Sequence, residues 1–127
     1  MRELTDHKVN GLNDALAIFV TDEPGPGGAN HEYSIVWTAP DKPDGTADAG
    51  SCIIKFQNGP LKENFPNGIS NEALLAIVYD RLRSFQHGQY ACETNAHAMD
   101  SIGEALAALK ARTMERMKRG VEGTMQK

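Results

Sequence analysis

The sequence predicts an α+β fold in which a small antiparallel β-meander precedes an antiparallel αα-hairpin. Apolar side chains alternate with their neighbours in three short segments of the first half, which is the period of a strand. In two long segments of the second half they recur every three or four residues, as in an amphipathic helix. A chain of 127 residues suits one domain. We expect residues 1–66 to form the meander and its loops, and residues 67–127 the hairpin and a tail.

The hairpin is expected to comprise residues 70–86 and about 93–119. Ser70 is a favourable N-cap, and Gly88 in the intervening turn allows the positive φ that often ends a helix. Two antiparallel helices with facing apolar stripes pack against each other. The stripe of the first helix contains Leu74, Leu75, Ile77, Val78, Leu82 and Phe85, and that of the second contains Met99, Ile102, Leu106 and Leu109.

The first half is expected to form a meander that one helix of the hairpin covers. Its strands are predicted at Asp14–Thr21, Glu32–Thr38 and Ser51–Phe56, with Tyr33, Ile35 and Trp37 on one face. Residues 1–13 are expected to form a loose arm or a short helix. Residues 39–50, rich in Pro, Asp and Gly, are predicted to be a flexible connection, and residues 61–65 an extended piece.

Composition narrows the class of protein. A formal net charge of −4 argues against a general nucleic-acid binder. Cys52 and Cys92 lack metal-type spacing, which favours free thiols in a reducing compartment. The apolar run of residues 15–20 is too short for a membrane span or a signal core. We therefore expect a soluble intracellular protein.

Chemistry by the cysteine and histidines near the hairpin turn is disfavoured. Cys92 and His97 lie five positions apart on a helix, so their side chains point in different directions, and no known nucleophile signature surrounds them. A zinc site from His87, Cys92 and His97 would lack a fourth ligand. No catalytic residue, metal site or cofactor is predicted.

A different set of residues is typical of a nucleotide site. Arg112 and Arg116 lie four positions apart on one helical face, where they could clamp an anion, and neither belongs to the apolar stripe. Phe85 offers a ring for stacking, and Asn95 offers an amide that can pair with an adenine edge. The alternatives remain open: Phe85 also continues the core stripe, Asn95 could simply satisfy the turn, and basic residues are common at helix ends.

Several segments of the second half form a family pattern. They are Asn67-Gly68-Ile69-Ser70-Asn71-Glu72-Ala73-Leu74-Leu75-Ala76-Ile77, Arg81-Leu82, Phe85-Gln86, Cys92-Glu93-Thr94-Asn95, and the ending Arg112-Thr113, Arg116 and Arg119-Gly120-Val121-Glu122-Gly123-Thr124. Over about residues 67–124 the chain resembles the phage Thoeris anti-defence proteins of the first type (Tad type 1). Their hairpin is shared with the anti-CBASS cyclic-nucleotide sponges (Acb type 2). Residues 1–65 match only the general plan of strands before a hairpin.

The resemblance implies a non-enzymatic sponge in the host cytoplasm. Such proteins sequester cyclic ADP-ribose-type signals, which bacterial TIR-domain proteins make from NAD, without cleaving them. Phe85, Asn95, Arg112 and Arg116 match the family's pocket positions, whereas Tyr33 and Trp37 are added from their chemistry alone. Some members also hold cyclic di- or trinucleotides. We expect self-association into a homodimer or a hexamer. The alternative functions are a nucleic-acid-binding module, a structural phage protein that oligomerises through the hairpin, and an enzyme that hydrolyses the signal.

Overall fold

The computed structural model describes residues 1–11, 14–39 and 48–127. These residues form two compact units, Met1–Asn58 and Gly59–Lys127. The first unit contains an antiparallel sheet and the second contains two long helices. The predicted α+β class is therefore confirmed, while the assignment of both units to one domain stays a prediction.

The sheet of the first unit is a meander. Its strands β1 (Arg2–Leu4), β2 (Leu16–Val20), β3 (Glu32–Ala39) and β4 (Asp48–Lys55) are neighbours in chain order, and every pair is antiparallel. Large apolar side chains alternate along β3, and a register slipped by one residue would turn this set to the other face of the sheet.

Tyr33, Ile35 and Trp37 share one face of the sheet, as predicted. Opposite Tyr33 in the register lie Val20 on β2 and Ile54 on β4. Val20 is the most deeply buried apolar residue described, at 1% exposure, which places the centre of this small core beside Tyr33. Directly opposing side chains of antiparallel strands lie close together, so this row of pairs stabilises the sheet.

The strand β1 corrects the expected loose arm or short helix. Arg2 lies opposite Val20 and Leu4 lies opposite Ile18. A segment of three residues is too short to show an alternating pattern, and its partner strand decides its conformation. The flexible connection predicted at residues 39–50 is also wrong for residues 48–50, because β4 begins at Asp48. The rest of that connection, residues 40–47, lies outside the described residues, as do Leu12 and Asn13.

The second unit contains the hairpin. The helix α1 spans Asn71–Gln86 and α2 spans Glu93–Lys118, so both predicted helices are confirmed within about one residue. The Ser70 hydroxyl accepts a hydrogen bond from the Ala73 N–H at 3.1 Å, which is the expected N-cap. Within the described residues, no helix combines the length and hydrophobicity that crossing a bilayer requires.

The turn after α1 uses a different geometry from the one predicted. Gly88 does not adopt positive φ. The C-cap of α1 is instead His87, which has φ of −87° and lies in the right-handed region. The Gly88 N–H then donates to the Phe85 carbonyl at 3.1 Å. The short turn closes through such bonds and through side-chain contacts described below, so glycine's conformational freedom is not needed there.

The predicted extended piece at residues 61–65 is also wrong. The N–H groups of Glu63 and Asn64 both donate to the Pro60 carbonyl, at 3.1 and 2.8 Å, so this segment is a turn. Lys62 donates its N–H to the Gly123 carbonyl at 3.0 Å, which ties the turn to the C-terminal segment. These bonds explain why the turn belongs to the helical unit.

The hairpin buries few side chains within a single chain. No residue of α1 is fully buried, and in α2 the buried residue is Arg116. Ile77 and Met114 remain 64% and 62% exposed. In most proteins the stability of a helix comes from packing its apolar face. The described residues therefore leave the apolar surface of this hairpin largely uncovered.

Candidate ligand site at the two ends of the hairpin

The turn end of the hairpin brings together Phe85 and Asn95. The Phe85 ring lies 6.5 Å from the Tyr90 ring, centroid to centroid, in an edge-to-face arrangement. The Asn95 side-chain amide donates to the Tyr90 carbonyl at 3.3 Å. Phe85 is 38% exposed, so its ring is available to a ligand. Asn95 keeps its amide oxygen and a second N–H, which are the two groups that pairing with an adenine edge requires.

Gln86 braces this turn, a role that the sequence analysis did not predict. Its side-chain nitrogen donates to the Cys92 carbonyl, and its oxygen accepts from the Cys92 N–H, both at 3.0 Å. One amide side chain thus bridges the end of α1 and the start of α2. Helical spacing gives no sign of such a contact, because the partner is backbone six residues further along the chain.

Cys92 is the N-cap of α2. Its sulfur accepts a hydrogen bond from the Asn95 N–H at 3.4 Å. Within the ranges that the structure describes, no three His, Cys, Asp or Glu side chains are grouped so that they could hold a metal ion. The position of Cys92 follows from capping, since orphan N–H groups in the first turn of a helix need acceptors.

Arg116 organises the opposite end of the hairpin. The side chain is 7% exposed, and its Nε donates to a Glu122 carboxylate oxygen at 3.0 Å. Its terminal nitrogens donate to the carbonyls of Val121, Thr124 and Gln126 at 3.0, 3.1 and 2.5 Å. Because a guanidinium has five N–H groups, four of them are engaged by residues 121–126. Arg116 therefore has a structural role, which its position outside the apolar stripe did not indicate.

The C-terminal segment is shaped to surround this arginine. Gly120 has φ of 73°, the left-handed conformation that favours glycine after a helix. Its N–H donates to the Met117 carbonyl at 3.1 Å, and the Val121 N–H donates to the Arg116 carbonyl at 3.0 Å. This pair of bonds is a Schellman motif, which reverses the chain and directs residues 121–126 back over the helix end.

Arg112 differs from Arg116 in its surroundings. Its side chain is exposed and forms no hydrogen bond or ion pair with the described residues. Arg119, in the same helical turn as Arg116, is instead paired with the Glu115 carboxylate at 2.5 Å. Of these three guanidinium groups, the one on Arg112 is thus the most accessible to an anionic ligand.

The structure does not bring all the predicted residues together in one chain. The helix α2 runs without interruption from Glu93 to Lys118, and Arg112 lies 112 − 95 = 17 residues after Asn95. At about 1.5 Å per residue, their separation along the helix is about 25 Å. Phe85 and Asn95 therefore lie near the turn, while Arg112 and Arg116 lie near the other end.

Tyr33 and Trp37 occupy the sheet. The Tyr33 ring packs edge-on against Phe56, with centroids 5.7 Å apart. A Cβ atom added to Gly50 would lie 2.4 Å from the Trp37 indole, so the absence of a side chain at Gly50 makes room for the ring. Both aromatic residues have structural contacts, and their participation in a ligand site stays a prediction.

Comparison with known proteins places the hairpin in a family. The sequence model of the Acb2/Tad1 hairpin domain matches residues 48–114, which include β4, all of α1 and most of α2. The chain belongs to the Acb2/Tad1 hairpin family. The matched range contains Phe85, Asn95 and Arg112 and ends before Arg116. The segment that surrounds Arg116 thus lies beyond the part of the hairpin that defines the match.

A named relative supports the same assignment. The protein called Thoeris anti-defense 1, from Bacillus phage SBSphiJ7, is 47% identical over 76 residues. The alignment covers 60% of this chain and 54% of the relative, so this Acb2/Tad1 protein spans about half the length of the relative that it matches.

Proposed function

We propose that this Acb2/Tad1 protein binds a cyclic ADP-ribose-type signalling nucleotide in the host cytoplasm and sequesters it without cleavage. In this way it would block Thoeris immunity as a phage anti-defence protein. The supporting observation is that the hairpin presents groups suited to a nucleotide at both of its ends. The partly exposed Phe85 ring and the Asn95 amide lie at the turn, and the exposed Arg112 guanidinium lies near the far end. The name of the relative, Thoeris anti-defense 1, agrees with this proposal.

Each residue has a distinct role in the proposed complex. Adenine stacks on the Phe85 ring and its edge pairs with the Asn95 amide. The diphosphate binds Arg112, whose guanidinium can form paired, charge-assisted hydrogen bonds with phosphate oxygens. Arg116 contributes through its remaining N–H group and by holding residues 121–126 in place.

The length of α2 makes the pocket a shared one. A single cyclic ADP-ribose molecule is much shorter than the separation of about 25 Å between Asn95 and Arg112. Antiparallel packing of a second copy would place the turn of one hairpin beside the arginines of the other. Twofold symmetry then creates two equal pockets. The uncovered apolar surface around Ile77 and Met114 supports such an interface, because a stable helix pair needs that surface covered. Three such dimers would make up a hexamer.

Titration calorimetry tests the proposed function. The panel consists of cyclic ADP-ribose, its glycocyclic isomers, ADP-ribose, NAD and a cyclic dinucleotide. We expect tight binding of at least one cyclic ADP-ribose isomer, with two ligands per dimer and full recovery of intact ligand after denaturation. Recovery of a cleaved product would indicate an enzyme. If the protein binds none of the cyclic isomers and instead binds nucleic acid with a steep dependence on salt, the alternative nucleic-acid-binding module is favoured.

A complementation experiment tests the shared pocket. One chain carries Asn95→Ala and the other carries Arg112→Ala, and each homodimer should lose affinity. In the mixed dimer one pocket contains both substitutions and the other contains neither. We therefore expect about one functional site per dimer. Loss of binding in verified heterodimers, or binding by a monomer, contradicts the shared pocket.

A further inference from the structure

The turn of the hairpin exposes a second aromatic ring that the proposed site does not yet use. Tyr90 is 67% exposed although it lies in a short, ordered connection between two helices. Its ring stands perpendicular to the Phe85 ring, with an angle of 90° between the ring planes. Both rings are partly exposed to solvent, Phe85 at 38% and Tyr90 at 67%.

One face of Phe85 is already engaged. The Arg81 guanidinium carbon lies over this ring, 5.3 Å from its centroid, in a cation–π contact. With Arg81 on one face and Tyr90 at 90° to the ring, a stacked base would use the other face of Phe85. A flat ring in that position is parallel to Phe85 and perpendicular to Tyr90, which is the favourable edge-to-face orientation.

Tyr90 is held in place by backbone and side-chain contacts from both helices. The Tyr90 carbonyl accepts a hydrogen bond from the Asn95 amide at 3.3 Å. Gln86 ties the two sides of the turn together through its paired hydrogen bonds with Cys92. The amide assigned to the adenine edge thus also positions the backbone of Tyr90, so stacking and edge recognition are coupled in one ordered turn.

We propose that Tyr90 is a ligand-binding residue that forms the second wall of a purine site, at right angles to Phe85. This inference rests on the proposed function and adds a residue to that site. A purine, with two fused rings, extends far enough to contact both walls at once. A ligand with a purine base is therefore favoured over one with a pyrimidine base.

The test compares Tyr90→Phe with Tyr90→Leu. The phenylalanine variant keeps the ring and should bind cyclic ADP-ribose, or the glycocyclic isomer that binds the wild type best, within about twofold of wild type. The leucine variant keeps much of the apolar volume but loses the ring, so its affinity should fall about three- to tenfold. The control is His87→Ala, an exposed residue of the same turn, which should leave affinity unchanged.

Two further readouts separate the possible outcomes. Proton NMR of the complex should show contacts between Tyr90 ring protons and the adenine protons, and light scattering should show the same mass for every variant. Wild-type affinity in Tyr90→Leu, or a change in oligomeric mass that accounts for its lost affinity, overturns the inference while leaving the proposed function intact. If the wild type binds no cyclic ADP-ribose isomer, the proposed function itself fails.

Discussion

Arg112 and Arg116 allow the clearest prediction, because the same substitution should have different effects at the two positions. Arg116→Ala removes four hydrogen bonds, including the ion pair with Glu122. A hydrogen bond to a charged group contributes about 1.5–3 kcal/mol. The carbonyls and Glu122 regain water once residues 121–126 detach, so the contributions do not add. We expect a net loss of about 2–4 kcal/mol in the stability of this end of the hairpin.

Arg112→Ala provides the matched control. Its side chain is exposed and has no partner among the described residues, so the free energy of unfolding should change by less than about 0.5 kcal/mol. Both substitutions should weaken nucleotide binding, by roughly tenfold or more for Arg112 if it contacts the diphosphate. Only Arg116→Ala should also lower stability.

Urea unfolding and amide hydrogen exchange measure these effects. Exchange at Val121 and Thr124, whose N–H groups donate to the carbonyls of Arg116 and Val121, should accelerate in Arg116→Ala even if the helices themselves persist. Unchanged exchange at both positions, together with a wild-type free energy of unfolding, would refute the structural role of Arg116. An equal loss of stability in Arg112→Ala would refute the contrast between the two arginines.

Three further predictions concern other parts of the chain. Phe85→Leu should reduce nucleotide affinity far more than thermal stability, because it keeps most of the apolar volume but loses the ring; a proportional loss of both in calorimetry and melting would mean a core role alone. Gln86→Ala removes the two hydrogen bonds to Cys92 and should destabilise the hairpin by about 1–2 kcal/mol in urea unfolding; no change would contradict the brace. The His31 N–H, at 2.9 Å, lowers the pKa of the Asp22 carboxyl. The resulting stability is fully present above the unfolded-state pKa of about 4 and is lost as pH falls through the lower folded-state pKa. Asp22→Asn should therefore flatten the acid limb of stability against pH, and an unaltered limb would refute this account.

Local sequence patterns were sufficient for the helices and for most of the sheet. The spacing of apolar residues in α1 and α2, with a capping serine at position 70, depends only on residues within a few turns of one another. The same holds for the short apolar run of β2 and for the alternation in β3. The strand β1 was not predictable in this way, because three residues carry no period and Arg2–Leu4 is extended through pairing with β2.

The candidate site was likewise predictable only in its local properties. The sequence by itself determined which side chains carry suitable chemistry, since a ring, an amide and two arginines four positions apart are properties of residue type and helical spacing. Only the tertiary structure decided how accessible each group is. Arg112 and Arg116 look equivalent in the sequence, yet the chain reversal at Gly120 folds residues 121–126 onto Arg116 and leaves Arg112 free. Likewise, the perpendicular arrangement of Phe85 and Tyr90 depends on the path of the turn. The physical reason is that residue type and helical period are local, whereas burial and hydrogen-bond partners depend on where the rest of the chain returns.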